Sequence, residues 1–275
     1  MCRITAFLST KPVKGGPLFS EGDRSLLSQA GAVAGRFQDD GWGTAFAKGD
    51  KFHLTRSPGP ARLERKAFAA AAAGVSRVGL AHLREASNPA GISRRRLISE
   101  ANTQPFCRGG LAFAHNGTLF IKDEIKSLLG KYAAEVKGDN DSEVLFWQVV
   151  KMLDAYGTPK MALEMALDEI RTVWISCKDK HPGRTAPYLG LNMFLASKDS
   201  LTVLCHAPRK TRKDALLTPG WEFGRVAWRR EPGKVIFSSE PANSGPGWEK
   251  MNDPEVAHAA IRGGKLELSF KRITL

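Results

Sequence analysis

Four short stretches hold residue types that can share one chemistry: Met1–Cys2, "AHLREAS" (81–87), "AHNGT" (114–118) and "NDSE" (140–143). Cys2 is small enough for an aminopeptidase to remove Met1, which would make the cysteine the N-terminal residue. It then brings its own base. A free α-amino group has a pKa near ~7.7–8.0, so part of it is neutral at physiological pH. It can take the thiol proton, directly or through a water, and return it to a leaving amine. The plain alternative for Cys2 is a small, weakly apolar residue entering a strand.

The other three stretches also have two readings each. Asn116–Gly117 closes an apolar run, and Asn-Gly alone reads as a turn because both residues tolerate φ > 0. The Asn116 amide and the Gly117 N–H can also converge on one developing oxyanion, where losing one donor typically costs ~10²–10³ in rate. Arg84 alone reads as a surface arginine at a strand exit. It can equally clamp a carboxylate through two parallel hydrogen bonds, with Ser87 adding a third. Asn140 and Glu143 fit a capping box, and Asp141 between them can face an ammonium. As a set, the nucleophile, oxyanion hole, carboxylate clamp and ammonium acceptor describe a site for a free α-amino acid. The reacting carbonyl would lie at the far end of its side chain, as in glutamine.

The elements that must position these residues are legible from pattern. "CRITAFL", "WGTAFA", "KFHLTR", "VGLAHLR" and "LAFAHNG" read as strands bounded by Gly, Pro, Asn and Asp. A helix is expected over 142–157, with Leu145, Val149, Met152 and Tyr156 on one face and Gly157 as the stop. A second helix is expected over 159–177, with Pro159 in its first turn. Residues 189–207 read as a hairpin around Lys198–Asp199–Ser200, and "KVIFSSEP" and "KLELSFKRI" as late strands. Strands, then helices, then strands again, without regular alternation, point to a segregated α+β fold. With no linker evident, 1–275 is expected to form a single domain.

Bulk properties narrow the classes. The chain of 275 residues is 42% hydrophobic and 25% charged, within the ordinary globular range. There is no signal-peptide pattern and no apolar run near the ~20 residues of a membrane span, so a soluble, cytoplasmic protein is expected. Cys107, Cys177 and Cys205 lack CxxC spacing and are expected as buried small hydrophobes rather than disulfide or zinc partners. The net charge of +13 is spread along the chain, with clusters only at 93–97 and 208–213. Neither cluster interleaves aromatics, so solvated basic faces are expected and a nucleic-acid partner is not.

On these motifs the sequence resembles the class II glutamine amidotransferases, a branch of the N-terminal-nucleophile (Ntn) hydrolases, and is most similar to their stand-alone members. The resemblance runs from Cys2 to about Asp141, through Asp40–Gly43 ("DGWG"), His82-x-Arg84-x-x-Ser87, "NTQPF" (102–106), His115–Gly117 and Asp141–Glu143. It continues more weakly to "VIFSSEP". It implies a four-layer αββα sandwich of two antiparallel sheets between helical layers. It also implies Cys2 as nucleophile, Asn116 and Gly117 as oxyanion hole, Arg84 and Ser87 on the substrate carboxylate, and Asp141 on its ammonium. His82 and His115 are expected to be structural, and no metal or organic cofactor is implied.

The expected activity is hydrolysis of the glutamine side-chain amide through a Cys2 thioester, with ammonia passing to a separate synthase subunit. Cleavage of another γ-glutamyl compound without ammonia transfer, as in some stand-alone relatives, is the alternative. A non-catalytic glutamine-binding regulator and an acylase of bulky acyl amides stand further off, the latter opposed by the Arg84, Ser87 and Asp141 set.

Overall fold

The computed structural model describes residues 2–89, 91–208 and 215–275. The removal expected at Met1 and most of the basic cluster at 208–213 fall outside them. In chain order the strands are β1 (Arg3–Lys14), β2 (Trp42–Lys48), β3 (Lys51–Ser57), β4 (Val75–Leu83), β5 (Phe106–Arg108), β6 (Leu111–Leu119), β7 (Tyr188–Ala196), β8 (Ser200–Cys205), β9 (Ala227–Glu231), β10 (Lys234–Ser238), β11 (Glu249–Lys250), β12 (Glu255–Arg262) and β13 (Lys265–Arg272). The helices are α1 (Gly16–Phe19), α2 (Leu26–Gln29), α3 (Arg65–Ala72), α4 (Arg94–Leu97), α5 (Lys122–Ser127), α6 (Asp141–Tyr156) and α7 (Pro159–Cys177).

The strands form two antiparallel sheets, ordered β11-β9-β10-β1-β4-β2-β3 and β13-β12-β8-β7-β6-β5. Alternation along β1 explains the layering, since successive side chains of a strand point to opposite faces. Ile4, Ala6 and Leu8 enter the seam between the sheets, against Ala112, Ala114 and Phe194. Phe7 points the other way, into an aromatic layer with Phe19, Phe46 and Phe68 beneath α1–α3. On the far side of the second sheet, α5, α6 and α7 pack on Phe113, Met193 and Leu195. Three apolar seams therefore separate four layers in the order helix, sheet, sheet, helix.

The two long helices follow their sequence signals closely. Asn140 caps α6 by accepting the Glu143 N–H at 2.9 Å, and Gly157 ends it at φ 75°. Thr158 caps α7, with Pro159 at its start. Leu145, Val149 and Met152 are buried as expected, but Tyr156, the last residue of α6, is half exposed. The expected capping box is half formed. The Glu143 carboxylate turns back to the Lys137 and Gly138 N–H groups, while Asn102 accepts the Asn140 N–H. Among the basic residues at 93–97, Arg94 pairs with Asp40 and Arg96 with Asp139. Cys177 and Cys205 are buried, whereas Cys107 is only half buried. No helix among the described residues is long and apolar enough to cross a membrane.

Candidate active site

Cys2 stands one residue before β1 and continues the inward alternation of Ile4 and Ala6. Its neighbours are fastened on both sides. The Arg3 guanidinium, fully buried, donates to Glu240 at 2.5 Å and to Gln29 at 2.9 Å. Ile4 exchanges hydrogen bonds with Ser239, its N–H to the hydroxyl at 2.9 Å and its carbonyl from the Ser239 N–H at 2.8 Å. Glu240 also accepts the N–H groups of Leu216, Leu217 and Thr218. The "SSEP" stretch thus locks the start of β1 by side-chain and backbone contacts more than 230 residues apart in sequence.

Burial raises the Cys2 thiol above its usual pKa, while the Glu85 carbonyl, which accepts from Sγ at 3.5 Å, and the Arg84 charge oppose the rise.

Arg84 leaves the end of β4 and is 4% exposed. Its Nη1 donates to the carbonyl oxygens of Leu97 (2.8 Å) and Asp40 (3.3 Å), which fixes the guanidinium plane. The "DGWG" stretch builds this corner. The Arg84 and Asp40 N–H groups pair with Gly41 and Arg84 carbonyls, and the Asp40 carboxylate accepts the Ala86 N–H at 2.8 Å. Gly41 sits at φ 124°, and a side chain at Gly43 would collide with the Gln104 carbonyl. Ser87 then accepts a hydrogen bond from Thr118 at 3.0 Å.

Asn116 and Gly117 are not a turn. β6 runs through both to Leu119, with a bulge between Gly117 and Leu119 where it pairs with β7. The reason is tertiary: a Cβ at Gly117 would strike the Gly190 carbonyl oxygen of β7, so glycine is required for close approach rather than for positive φ. Beyond the bulge, the Leu119 N–H donates to the Asp141 carboxylate at 2.6 Å, fastening the start of α6 to β6. Alternation puts Asn116 in the seam between the sheets, on the side of Ala112 and Ala114. It is 4% exposed and its Oδ1 lacks a partner, an uncommon state for a buried polar atom.

Two buried histidines lie near this site, His115 on β6 and His82 on β4. His115 meets the Ser142 hydroxyl through Nδ1 at 3.0 Å, and burial lowers its pKa. His82 is fully buried, and burial with help from the Arg84 charge lowers it to about 3.

The "NTQPF" stretch joins these parts. Asn102 accepts the Asp139 and Asn140 N–H groups and donates to the Arg96 and Leu97 carbonyls. It thereby ties the start of α6 to the segment holding Arg84. Gln104 grips the backbone of His115, accepting its N–H at 2.6 Å and donating to its carbonyl at 3.2 Å. Phe106 stacks on Phe146 of α6.

One cleft of about 500 Å³, mouth included, is lined by Cys2, Arg84, Ser87, Gly117 and Asp141. Five of the six residues singled out in the sequence therefore converge, and Asn116 is buried beside Gly117 rather than in the cleft wall. Gln104 and Lys122 also line the cleft, as do Asn88, Leu97 and Ser142. Sequence reasoning gave these no role, although Gln104 sits inside a quoted motif. A thiol, a fixed guanidinium, a hydroxyl and a carboxylate thus face one space.

A family model described as class-II glutamine amidotransferases matches residues 1–181. No curated protein matches. Among solved structures, the chain is similar to a glutamine aminotransferase class-II domain protein from Silicibacter pomeroyi. That match has TM-score 0.63 and 17% identity, covering 98% of each chain. It is also similar to the glutamine phosphoribosylpyrophosphate amidotransferase of B. subtilis, at TM-score 0.60 and 13% identity, covering 98% of this chain and 49% of that one. A third match, an allosteric regulatory enzyme of purine biosynthesis, has TM-score 0.61 and 14% identity, covering 98% and 48%. The chain thus spans about half the length of the latter two. At these identities the likeness is one of fold, the αββα sandwich of the Ntn hydrolases.

Proposed function

The chain belongs to the class-II glutamine amidotransferases, and from that membership we propose that it hydrolyses the side-chain amide of glutamine, or of a related γ-glutamyl compound, through a thioester on Cys2. The observation that carries this reading is the convergence of Cys2, Arg84, Ser87, Gly117 and Asp141 on one cleft. In this reading Met1 is removed and residues 2–275 act as one glutaminase domain.

Arg84 and Ser87 hold the substrate α-carboxylate, and Asp141 faces its ammonium, leaving the side-chain amide pointing at Cys2. The Cys2 amino group takes the thiol proton as sulfur attacks the amide carbon. The tetrahedral oxyanion is stabilised by the Gly117 N–H and the Asn116 side-chain Nδ2–H. The amino group returns the proton to the departing ammonia. Water, deprotonated by the same amine, then attacks the thioester through a second oxyanion, releasing glutamate and regenerating the thiol. The ammonia passes to a separate synthase subunit or, with a γ-glutamyl substrate, the corresponding amine is set free.

Incubation of the processed protein with the glutamine analogue 6-diazo-5-oxo-norleucine, followed by peptide mass spectrometry, tests the reading. Label on Cys2, and on no other cysteine, is the expected result. Unlabelled Cys2 in protein whose intact mass shows Met1 removed would overturn it.

A further inference from the structure

On the helical layer that carries α5 and α7, outside the cleft, three side chains of different elements converge. Cys177 is the last residue of α7, His181 follows it by four residues in the succeeding turn, and Glu124 comes from α5. Their ligand atoms, one sulfur, one ring nitrogen and one carboxylate oxygen, all lie within 4.8 Å of one another. Among the described residues they form the one such group of three. His181 Nε2 and Glu124 Oε1 already share a hydrogen bond at 2.8 Å. None of the three lines the cleft.

We propose that Glu124, Cys177 and His181 form a binding site for a zinc-type divalent cation. The donor set is one that zinc accepts: thiolate, imidazole and carboxylate. Zinc bonds of about 2.0–2.3 Å put tetrahedral ligand atoms roughly 3.3–3.8 Å apart, so the 2.8 Å His181–Glu124 side opens by about 0.5 Å and the sides to sulfur, at most 4.8 Å, close by no more than about 1.3 Å. One thiolate and one carboxylate offset the two positive charges of the ion. The thiol proton leaves to solvent on binding, and the ring proton of neutral His181 moves from Nε2 to Nδ1 by exchange with water, freeing Nε2 and the Glu124 carboxylate for the ion. Cys177 is buried while His181 and Glu124 retain 21% and 24% side-chain exposure, so the fourth position opens to water. The 3-10 turn through Lys178–Lys180 carries the chain back over the end of α7, which brings His181 to Cys177.

The site has a structural consequence. Glu124 lies five residues beyond the end of β6, and His181 seven residues before the start of β7. These two strands pair through Gly117, and Phe120 and Pro187 close the same junction with a 2.7 Å hydrogen bond. A bound ion fastens the exit of one strand to the entry of the other, behind the oxyanion glycine.

The test uses the full chain carrying Cys2→Ser, so that the cleft thiol takes no part, stripped with a chelator and titrated with zinc. One zinc per chain is expected, together with a rise in thermal midpoint that grows with zinc concentration. Cobalt should give a sulfur-to-metal charge-transfer band. Cys177→Ser should abolish the band, and His181→Ala and Glu124→Gln should each weaken zinc binding by at least about 10²-fold. The latter two residues are partly exposed, so their variants report even if Cys177→Ser fails to fold. Absence of stoichiometric zinc, or zinc binding unchanged in His181→Ala and Glu124→Gln, would overturn the proposal.

Discussion

At the scale of a single residue, the Arg84 guanidinium is held in one orientation by its surroundings. Its Nη1 is spent on two carbonyls, Leu97 and Asp40, so the guanidinium is oriented before any ligand arrives. Arg84 lines the cleft, and burial disfavours its charge, which raises the value of an incoming carboxylate. In the proposed role, Arg84→Ala should raise KM for glutamine by about 10–100-fold with little change in kcat, since charge-assisted hydrogen bonds contribute about 1.5–3 kcal/mol. Arg84→Lys should not restore the affinity, because an ammonium cannot reproduce the planar fork. Steady-state kinetics with glutamine check both, and a loss confined to kcat would contradict the clamp.

At the scale of elements, β1 is held in register by residues from the other end of the chain. The Arg3–Glu240 pair is almost fully buried, with side-chain exposures of 1% and 0%. Removing one partner leaves an unpaired buried charge. Glu240→Ala should therefore cost about 3–5 kcal/mol of stability, read as a lower denaturation midpoint in urea. It also frees the Leu216–Thr218 backbone that Glu240 gathers. The elements themselves were unevenly legible. α6 and α7 were readable because caps and apolar spacing are local signals. β12 was not, because its alanine-rich "EVAHAAIR" faces apolar seams on both sides and shows no alternation. Asn116–Gly117 taken alone also fits a turn, because the Gly190 carbonyl that demands the glycine comes from another strand.

At the scale of the molecule, the seam between the sheets stores a pH sensitivity. His82 is buried there, its pKa lowered by burial from 6.5 to about 3. The folded state keeps it neutral while the unfolded chain protonates it below 6.5. Between 6.5 and about 3 the unfolded state binds more protons, so stability falls as pH drops through that window and is fully present above it. Urea midpoints measured from pH 7 down to pH 4 should decline, and a His82→Gln variant should decline less steeply. An equal slope in the two proteins would refute the assignment.

The sequence by itself determined which chemistry was on offer. Cysteine, Asn-Gly, Arg-x-x-Ser and Asp-Ser-Glu are residue identities, and their reading needs only local spacing. The helix starts and stops at Asn140, Gly157, Thr158 and Pro159 followed for the same reason, since a cap acts over three or four residues. The tertiary structure alone decided which residues meet. It left Asn116 with an unpaired oxygen beside Gly117, turned Glu143 away from its capping partner, and set Glu240 against Arg3. It also brought Cys177, a buried thiol from the sequence standpoint, to His181 and Glu124. These contacts join segments up to 237 residues apart. They depend on the order of strands within two sheets, which is set by long-range pairing and by the packing of whole faces, quantities that no local window of sequence contains.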